Sequence, residues 1–317
     1  MVPVAVLIPL TEEEKRVFTQ NCPEGAFDFY DRPITREEIA EYEILCGAGV
    51  RNLLQYATKL RFLQLPYAGL DGYADRGMYP RKDIVLAGAS GAFGPDISEY
   101  MLGAVLALMK NLHLYRDGMA QGVWKRLDTP VDSLDGAVVL SVGVGDIGSH
   151  FCKKAKAMGA HVIGVRRREA PKPDFCDEVC TAEHLDGVIG RADVAALSVP
   201  GTERTRRLFD RERLGRMKRG AYLVNVGRGT AVDLDALSDA LLSGALAGAA
   251  LDVTDPEPLP PGHPLWKCPN ALVTPHISGL NQYRRAHERV VAICAENIRR
   301  VCRGEAPLRP ASFEEGY

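Results

Sequence analysis

The sequence predicts an α/β protein built from two doubly wound parallel-sheet domains, and three observations carry that prediction. At 317 residues the chain is longer than one hydrophobic core usually serves. Short apolar runs alternate with helical stretches along most of its length, as strands joined by crossover helices do. The alternation is interrupted once, by a loop over residues 122–130, and restarts with Ala137-Val138-Val139-Leu140-Ser141-Val142. That run is too apolar to leave a face to solvent, as in a parallel sheet covered on both sides.

Taken in order, residues 4–8 read as a first strand and Glu12-Glu13-Glu14 opens a helix to about residue 19. Apolar runs at 44–45, 62–65 and 84–87 read as further strands, with a helix over 50–57. Pro95 then precedes a helix over 97–109 that is apolar nearly all round and therefore buried. The first domain boundary falls there. After the strand over 137–142, strands are expected at 161–165, 194–199, 222–226, 248–251 and 272–274. A last helix, from 283 to about 303, leaves a tail too short to form a domain, so helix and tail return to the first one. The expected division is 1–97 with 286–317 for the first domain and 98–285 for the second.

A hydrophobic content of 46%, a charged content of 25% and a formal net charge of -2 give no global pull toward nucleic acid or membranes. Neither is an expected partner. The cysteines at 22, 46, 152, 176, 180, 268, 294 and 302 form no Cys-x-x-Cys pair, which points to reduced, mostly buried thiols and to no metal site. The apolar N-terminus is too short and too β-branched for a secretory signal, and no run of about 18 uncharged apolar residues exists. A cytoplasmic location is expected.

Chemistry is first announced by Gly143-Val144-Gly145-Asp146-Ile147-Gly148. A Gly-x-Gly-x-x-Gly turn is weak evidence alone, but this one follows an apolar strand directly and precedes a helix over 147–158. There the first glycine permits the tight turn, the second admits a pyrophosphate and the third lets helix and strand pack, with phosphates at the positive helix N-terminus. The next strand ends in Arg166-Arg167-Arg168, where an NAD site usually places an acid for the ribose 2′-hydroxyl. Three guanidiniums suit a 2′-phosphate, so NADP(H) is favoured and NAD(H) remains possible. A solvated basic strand end also fits.

Three later segments follow short apolar runs and so leave the carboxyl edge of the sheet, where open α/β sheets bind ligands. They carry Arg228, Glu257 and His276. Reducing a 2-oxo acid needs a hydride donor, a proton donor and a cation for the carboxylate. Histidine titrates near neutrality, a neighbouring Glu stabilises its imidazolium, and Arg grips a carboxylate with two parallel donors. Singly, Arg228 also fits a loop ion pair, Glu257 a solvated carboxylate and His276 a strand-end histidine.

The ordered motifs resemble the D-isomer-specific 2-hydroxyacid dehydrogenase family over nearly the whole chain. The matching segments are Gly143 to Gly148, Asn225-Val226-Gly227-Arg228-Gly229, Asp252 with Pro256-Glu257-Pro258, Pro264-Leu265-Trp266 and Thr274-Pro275-His276. The resemblance implies a flavodoxin-like substrate domain and a Rossmann nucleotide-binding domain. It implies reduction of a small 2-oxo acid to the D-2-hydroxy acid, with Arg228 on the substrate carboxylate, His276 as acid/base and Glu257 as its partner. Asp252 would sit beside the nicotinamide, Asp146 and Ile147 would offer backbone to the pyrophosphate, Pro200 and Thr205 would line the adenosine side, and Val226 and Gly227 would follow the cofactor. Leu65 to Asp71 resembles the substrate loop, so Tyr67, Ala68 and Gly69 are further candidates. A homodimer formed through the nucleotide domain is also implied.

Two departures qualify the match. The missing acid after the second strand moves the chain toward the NADPH-using glyoxylate/hydroxypyruvate reductase-like branch. The usual Asn-containing loop before the long helix is replaced by Gly88-Ala89-Ser90-Gly91-Ala92-Phe93-Gly94. Tyr67 and Phe93 fit either a pocket for an apolar substituent or plain packing. A non-catalytic dinucleotide sensor of the same fold, like the related corepressors, is the alternative function. Formate oxidation would need polar side chains around a tiny substrate that the sequence does not offer.

Overall fold

Among the residues described by the computed structural model, 1–70, 72–129, 131–279 and 283–316, twelve strands form two sheets in which every ladder is parallel. Asp71 and Pro130, which end two of the loops singled out above, lie outside those residues. The chain divides into two compact units, Met1–Phe93 with Asn281–Tyr317, and Gly94–Leu280.

The first unit holds β1 (Val2–Val6), β2 (Gly25–Phe29), β3 (Ile44–Cys46), β4 (Phe62–Gln64) and β5 (Val85–Ala87), in the order β2-β1-β3-β4-β5. This is the flavodoxin-like order. Its helix Glu12–Asn21 begins with a reciprocal cap, in which Thr11 Oγ1 accepts from the Glu14 N–H and Glu14 Oε2 accepts from the Thr11 N–H. Such a cap is worth about 1 kcal/mol. Phe18 on that helix meets Phe27 and Phe29 of β2 edge-on. The returning helix Arg284–Cys302 buries Val290, Val291, Cys294 and Ile298, and its Asn297 donates to Gln64 Oε1 at 2.7 Å within the core. The helix expected over 50–57 is a 3₁₀ helix, Arg51–Tyr56.

The second unit holds β6 (Val138–Val142), β7 (His161–Arg166), β8 (Glu178–Thr181), β9 (Val194–Leu197), β10 (Ala221–Asn225), β11 (Leu246–Leu251) and β12 (Ala271–Val273). Their order, β12-β11-β10-β9-β6-β7-β8, reverses direction between β6 and β9, as in a Rossmann sheet extended by one strand. β9 and β10 are buried along their whole lengths, as expected of strands covered on both faces. The long apolar helix is Gly94–Met109, and within this unit it packs on β10, β11 and the helix Asp146–Ala157. β2 and β8, which the sequence reading did not anticipate, are both edge strands.

No described helix is long and apolar enough to cross a membrane. All eight cysteines are free, and six of them are buried.

Candidate active site

The glycine turn leaves β6 with Gly143 at φ +101°, a left-handed conformation that an L side chain rarely adopts. A Cβ there would lie 2.8 Å from Ser198 O. At Gly148 a Cβ would fall 1.9 Å from Gly143 O, so the helix can approach the turn only with glycine at that position. Gly145 is different, because a Cβ there would meet nothing within 4 Å. The close packing of this turn therefore explains the first and third glycines and does not account for the second. Gly145 also caps the helix Asp146–Ala157 without a side-chain hydrogen bond, so the first N–H groups face the turn with the positive end of the helix behind them. This cradle fits a pyrophosphate. Asp146 turns its carboxylate away, accepting the Gly94 N–H at 2.9 Å.

Arg166 ends β7, the strand beside the turn. Its Nη1 donates to Pro171 O at 3.0 Å, while its Nε is buried without a partner. Arg167 and Arg168 are exposed. On the other side of β6, the loop after β9 is closed by Thr205, whose hydroxyl donates to Pro200 O at 2.6 Å and accepts the Thr202 N–H at 2.9 Å. Thr205 shapes the loop that presents Pro200.

Neighbouring strands β10, β11 and β12 deliver the polar groups. Buried Asn225 ends β10 and folds the following turn, its Nδ2 donating to Arg228 O at 2.9 Å and its Oδ1 accepting the Gly227 N–H at 3.0 Å. The Val226 N–H extends the ladder to Leu197 O, and a Cβ on Gly227 would lie 2.5 Å from Val199 O. Glycine is also required at 229, where a Cβ would fall 1.9 Å from the Thr254 carbonyl. The Arg228-Gly229 backbone thus abuts the loop that carries Glu257. Arg228 is half-buried and donates from Nη1 to Gly227 O at 2.8 Å.

Glu257 accepts the Thr254 N–H through Oε1 at 3.1 Å, and its Oε2 lies 3.1 Å from His276 Nδ1. A carboxylate at this contact only accepts, so Nδ1 carries the hydrogen and Nε2 is the atom left for proton exchange. The imidazole is half-exposed. His276 has φ +54°, a conformation uncommon for a residue with a Cβ. It is held by Asp252, which is 1% exposed. Asp252 Oδ1 accepts the Thr274 hydroxyl at 2.6 Å and the Ile277 N–H at 2.8 Å, Oδ2 accepts the Ser278 N–H at 2.9 Å, and its carbonyl accepts the His276 N–H at 2.9 Å. Thr274 Oγ1 lies a further 2.6 Å from Tyr100 Oη.

The structure therefore joins Glu257 to His276 and seats Arg228 against the Glu257 loop. Tyr67, Ala68 and Gly69 belong to the first unit, in an exposed loop after β4 where Tyr67 O accepts the Ala89 N–H at 2.7 Å. Gly88 is required beside it, since a Cβ would lie 2.7 Å from Tyr67 O. Burial raises the Tyr67 phenol above its ordinary pKa. Sequence reasoning gave no role to Tyr100 or Thr274.

With this geometry established, comparison with known proteins is decisive: the sequence profile of the D-isomer specific 2-hydroxyacid dehydrogenase, NAD binding domain, matches residues 102–278, more than half of the chain. The chain belongs to that family. The match spans the glycine turn and all three of Arg228, Glu257 and His276. Membership makes the protein an oxidoreductase with a nicotinamide dinucleotide-binding domain. A glyoxylate reductase from Thermofilum pendens is 30% identical over 266 residues, covering 80% of this chain and 76% of that protein. A crystal structure of a family protein from Aeromonas salmonicida shares 33% identity with a TM-score of 0.84, covering 98% of this chain and 99% of that one. Another member, from Xanthobacter autotrophicus, was solved in complex with NADPH and MES; it is 25% identical with a TM-score of 0.82 over 100% of both chains.

Proposed function

We propose that this family member reduces a small 2-oxo acid of the glyoxylate or hydroxypyruvate type to the D-2-hydroxy acid, preferring NADPH to NADH. The observation that carries the reading is the His276–Glu257 contact of 3.1 Å, which leaves Nε2 as the proton-exchanging atom at the edge of the sheet that also carries the glycine turn. The nicotinamide, when bound, supplies the hydride. Arg228 grips the substrate carboxylate and polarises the carbonyl. The His276 imidazolium donates a proton from Nε2 to the carbonyl oxygen as negative charge develops there, and the Glu257 carboxylate stabilises the imidazolium before transfer. Asp146, Ile147 and Gly145 hold the pyrophosphate by main-chain N–H groups, Pro200 and Thr205 lie on the adenosine side with Val226 and Gly227 along the cofactor, and Asp252 borders the nicotinamide. In the first unit, Tyr67, Ala68 and Gly69 take the substrate-binding role. NADPH preference rests on Arg166, Arg167 and Arg168 in place of an acid, and is supported by the NADPH bound in the Xanthobacter protein.

The direct test is a matrix of initial rates for NADPH and NADH against glyoxylate, hydroxypyruvate, pyruvate, phenylpyruvate and branched 2-oxo acids. The highest kcat/KM is expected with NADPH and one of the first two. Failure of every 2-oxo acid to oxidise either cofactor would overturn the reading in favour of a dinucleotide sensor.

We also infer a homodimer formed through the second unit. The helix Leu112–Ala120 buries none of its residues, and Leu112, Met119, Val123, Trp124 and Val131 are exposed along this one stretch. Exposed apolar residues gathered in one place mark an association surface.

A further inference from the structure

The hydrogen bonds around Asp252 form a chain with a fixed direction. The Asp252 carboxylate only accepts, so the single Thr274 hydroxyl proton points to Oδ1 across 2.6 Å. Thr274 Oγ1 must then accept from Tyr100, and the Tyr100 hydroxyl donates to it across 2.6 Å. Asp252 in turn binds Thr274 on one side of His276 and the Ile277 and Ser278 N–H groups on the other, while its carbonyl takes the His276 N–H. The residue between these anchors has φ +54°. Left-handed backbone at a residue with a Cβ persists only where its surroundings over-determine it, and here one residue, Asp252, collects bonds that do so through its carboxylate and its carbonyl.

We propose that Tyr100 and Thr274 are positioning residues of the active site: acting through Asp252, they hold the Thr274–Ser278 turn in the one conformation that aligns His276 Nδ1 with Glu257. The long apolar helix Gly94–Met109 thereby sets the orientation of the proton donor from a position that touches no reacting atom. A buried carboxylate with its donors in place is rigid, and without the Thr274 hydroxyl, Oδ1 keeps only the Ile277 N–H and loses its tie to Thr274 and, through it, to Tyr100. The turn then samples other conformations, and the imidazole spends only part of its time on Glu257.

This inference rests on His276 as the proton donor, and its test separates the two ideas. Thr274→Val removes the hydroxyl at nearly constant volume, Thr274→Ser keeps it, and Tyr100→Phe removes only the far donor. Two quantities are read in each variant: kcat with the KM for NADPH, and the solvent exchange of the His276 Nδ1–H by nitrogen-detected NMR. Thr274→Val should lower kcat by about 10- to 100-fold with little change in the NADPH KM, and should speed Nδ1–H exchange. Thr274→Ser should restore both, and Tyr100→Phe should show a smaller loss in the same direction. If Thr274→Val fails to fold, Tyr100→Phe carries the test alone. Wild-type kcat and wild-type exchange in both Thr274→Val and Tyr100→Phe would overturn the proposal. The exchange measurement needs no turnover, so it decides the positioning role even if His276 proves not to be the proton donor.

Discussion

His276 combines an exposed imidazole with a backbone conformation that costs a non-glycine residue of order 1–3 kcal/mol, and the bonds around Asp252 offset that cost. At the residue scale, the sequence was legible where chemistry is carried by residue type and position after an apolar run, as for Arg228, Glu257 and His276. It was silent about Tyr100, because a contact between residues 100 and 274 leaves no local pattern. Arg166 is the residue whose role is most open to direct test. Its Nε is buried without a partner, and its charge, with its two neighbours, is the proposed ground for NADPH preference. Replacing Arg166 by Asp should lower kcat/KM for NADPH and raise the NADH to NADPH ratio by at least tenfold, because a carboxylate repels the 2′-phosphate and accepts from the free ribose hydroxyl. An unchanged ratio would remove Arg166 from cofactor selection.

Among the elements, the glycine turn separates two kinds of constraint. Gly148→Ala places a methyl 1.9 Å from Gly143 O, so it should lower the Tm by several degrees and weaken cofactor binding together. Gly145→Ala meets nothing within 4 Å and should leave the Tm near wild type while raising the Kd for NADPH, since only the bound pyrophosphate needs that space. Equal NADPH affinity in Gly145→Ala and wild type would show that the cofactor does not approach this turn. Central strands were easy to read because burial on both faces makes them continuously apolar. The edge strands β2 and β8 were missed because partial exposure weakens that signal: β2 is Gly25-Ala26-Phe27-Asp28-Phe29 and β8 is only four residues long. β8 is fastened by charge instead, with Glu178 bound to Arg191 and to His161 of β7. The arginine contact first, then the histidine, holds its carboxyl down at about 2. The helix expected over 50–57 closes as 3₁₀ turns over Arg51–Tyr56, with no side-chain cap hydrogen bond at Val50 to start it.

At the scale of the whole molecule, the two parallel sheets and their doubly wound character were readable from the alternation of apolar runs, whereas strand order was not. Order depends on pairings between segments far apart in sequence, such as β6 with β9, so it came from the family resemblance and not from the periodicity. Association belongs to this scale as well. Trp124 is fully exposed in the stretch that follows the helix Leu112–Ala120. If that stretch is the dimer surface, the wild-type chain should run as a dimer in light scattering and Trp124→Asp should shift it toward monomer. A monomeric wild type would refute the assignment.

Proton delivery by His276 in reduction of a 2-oxo acid is tested most closely by comparing wild type with His276→Ala for NADPH oxidation by the best 2-oxo acid, alongside the Kd for NADPH. In His276→Ala, kcat should fall by about 10²–10⁴-fold while the Kd stays within a factor of about two, because the imidazole acts on the substrate and not on the dinucleotide cradle. A His276→Ala protein that turns over at the wild-type rate would contradict proton delivery by His276.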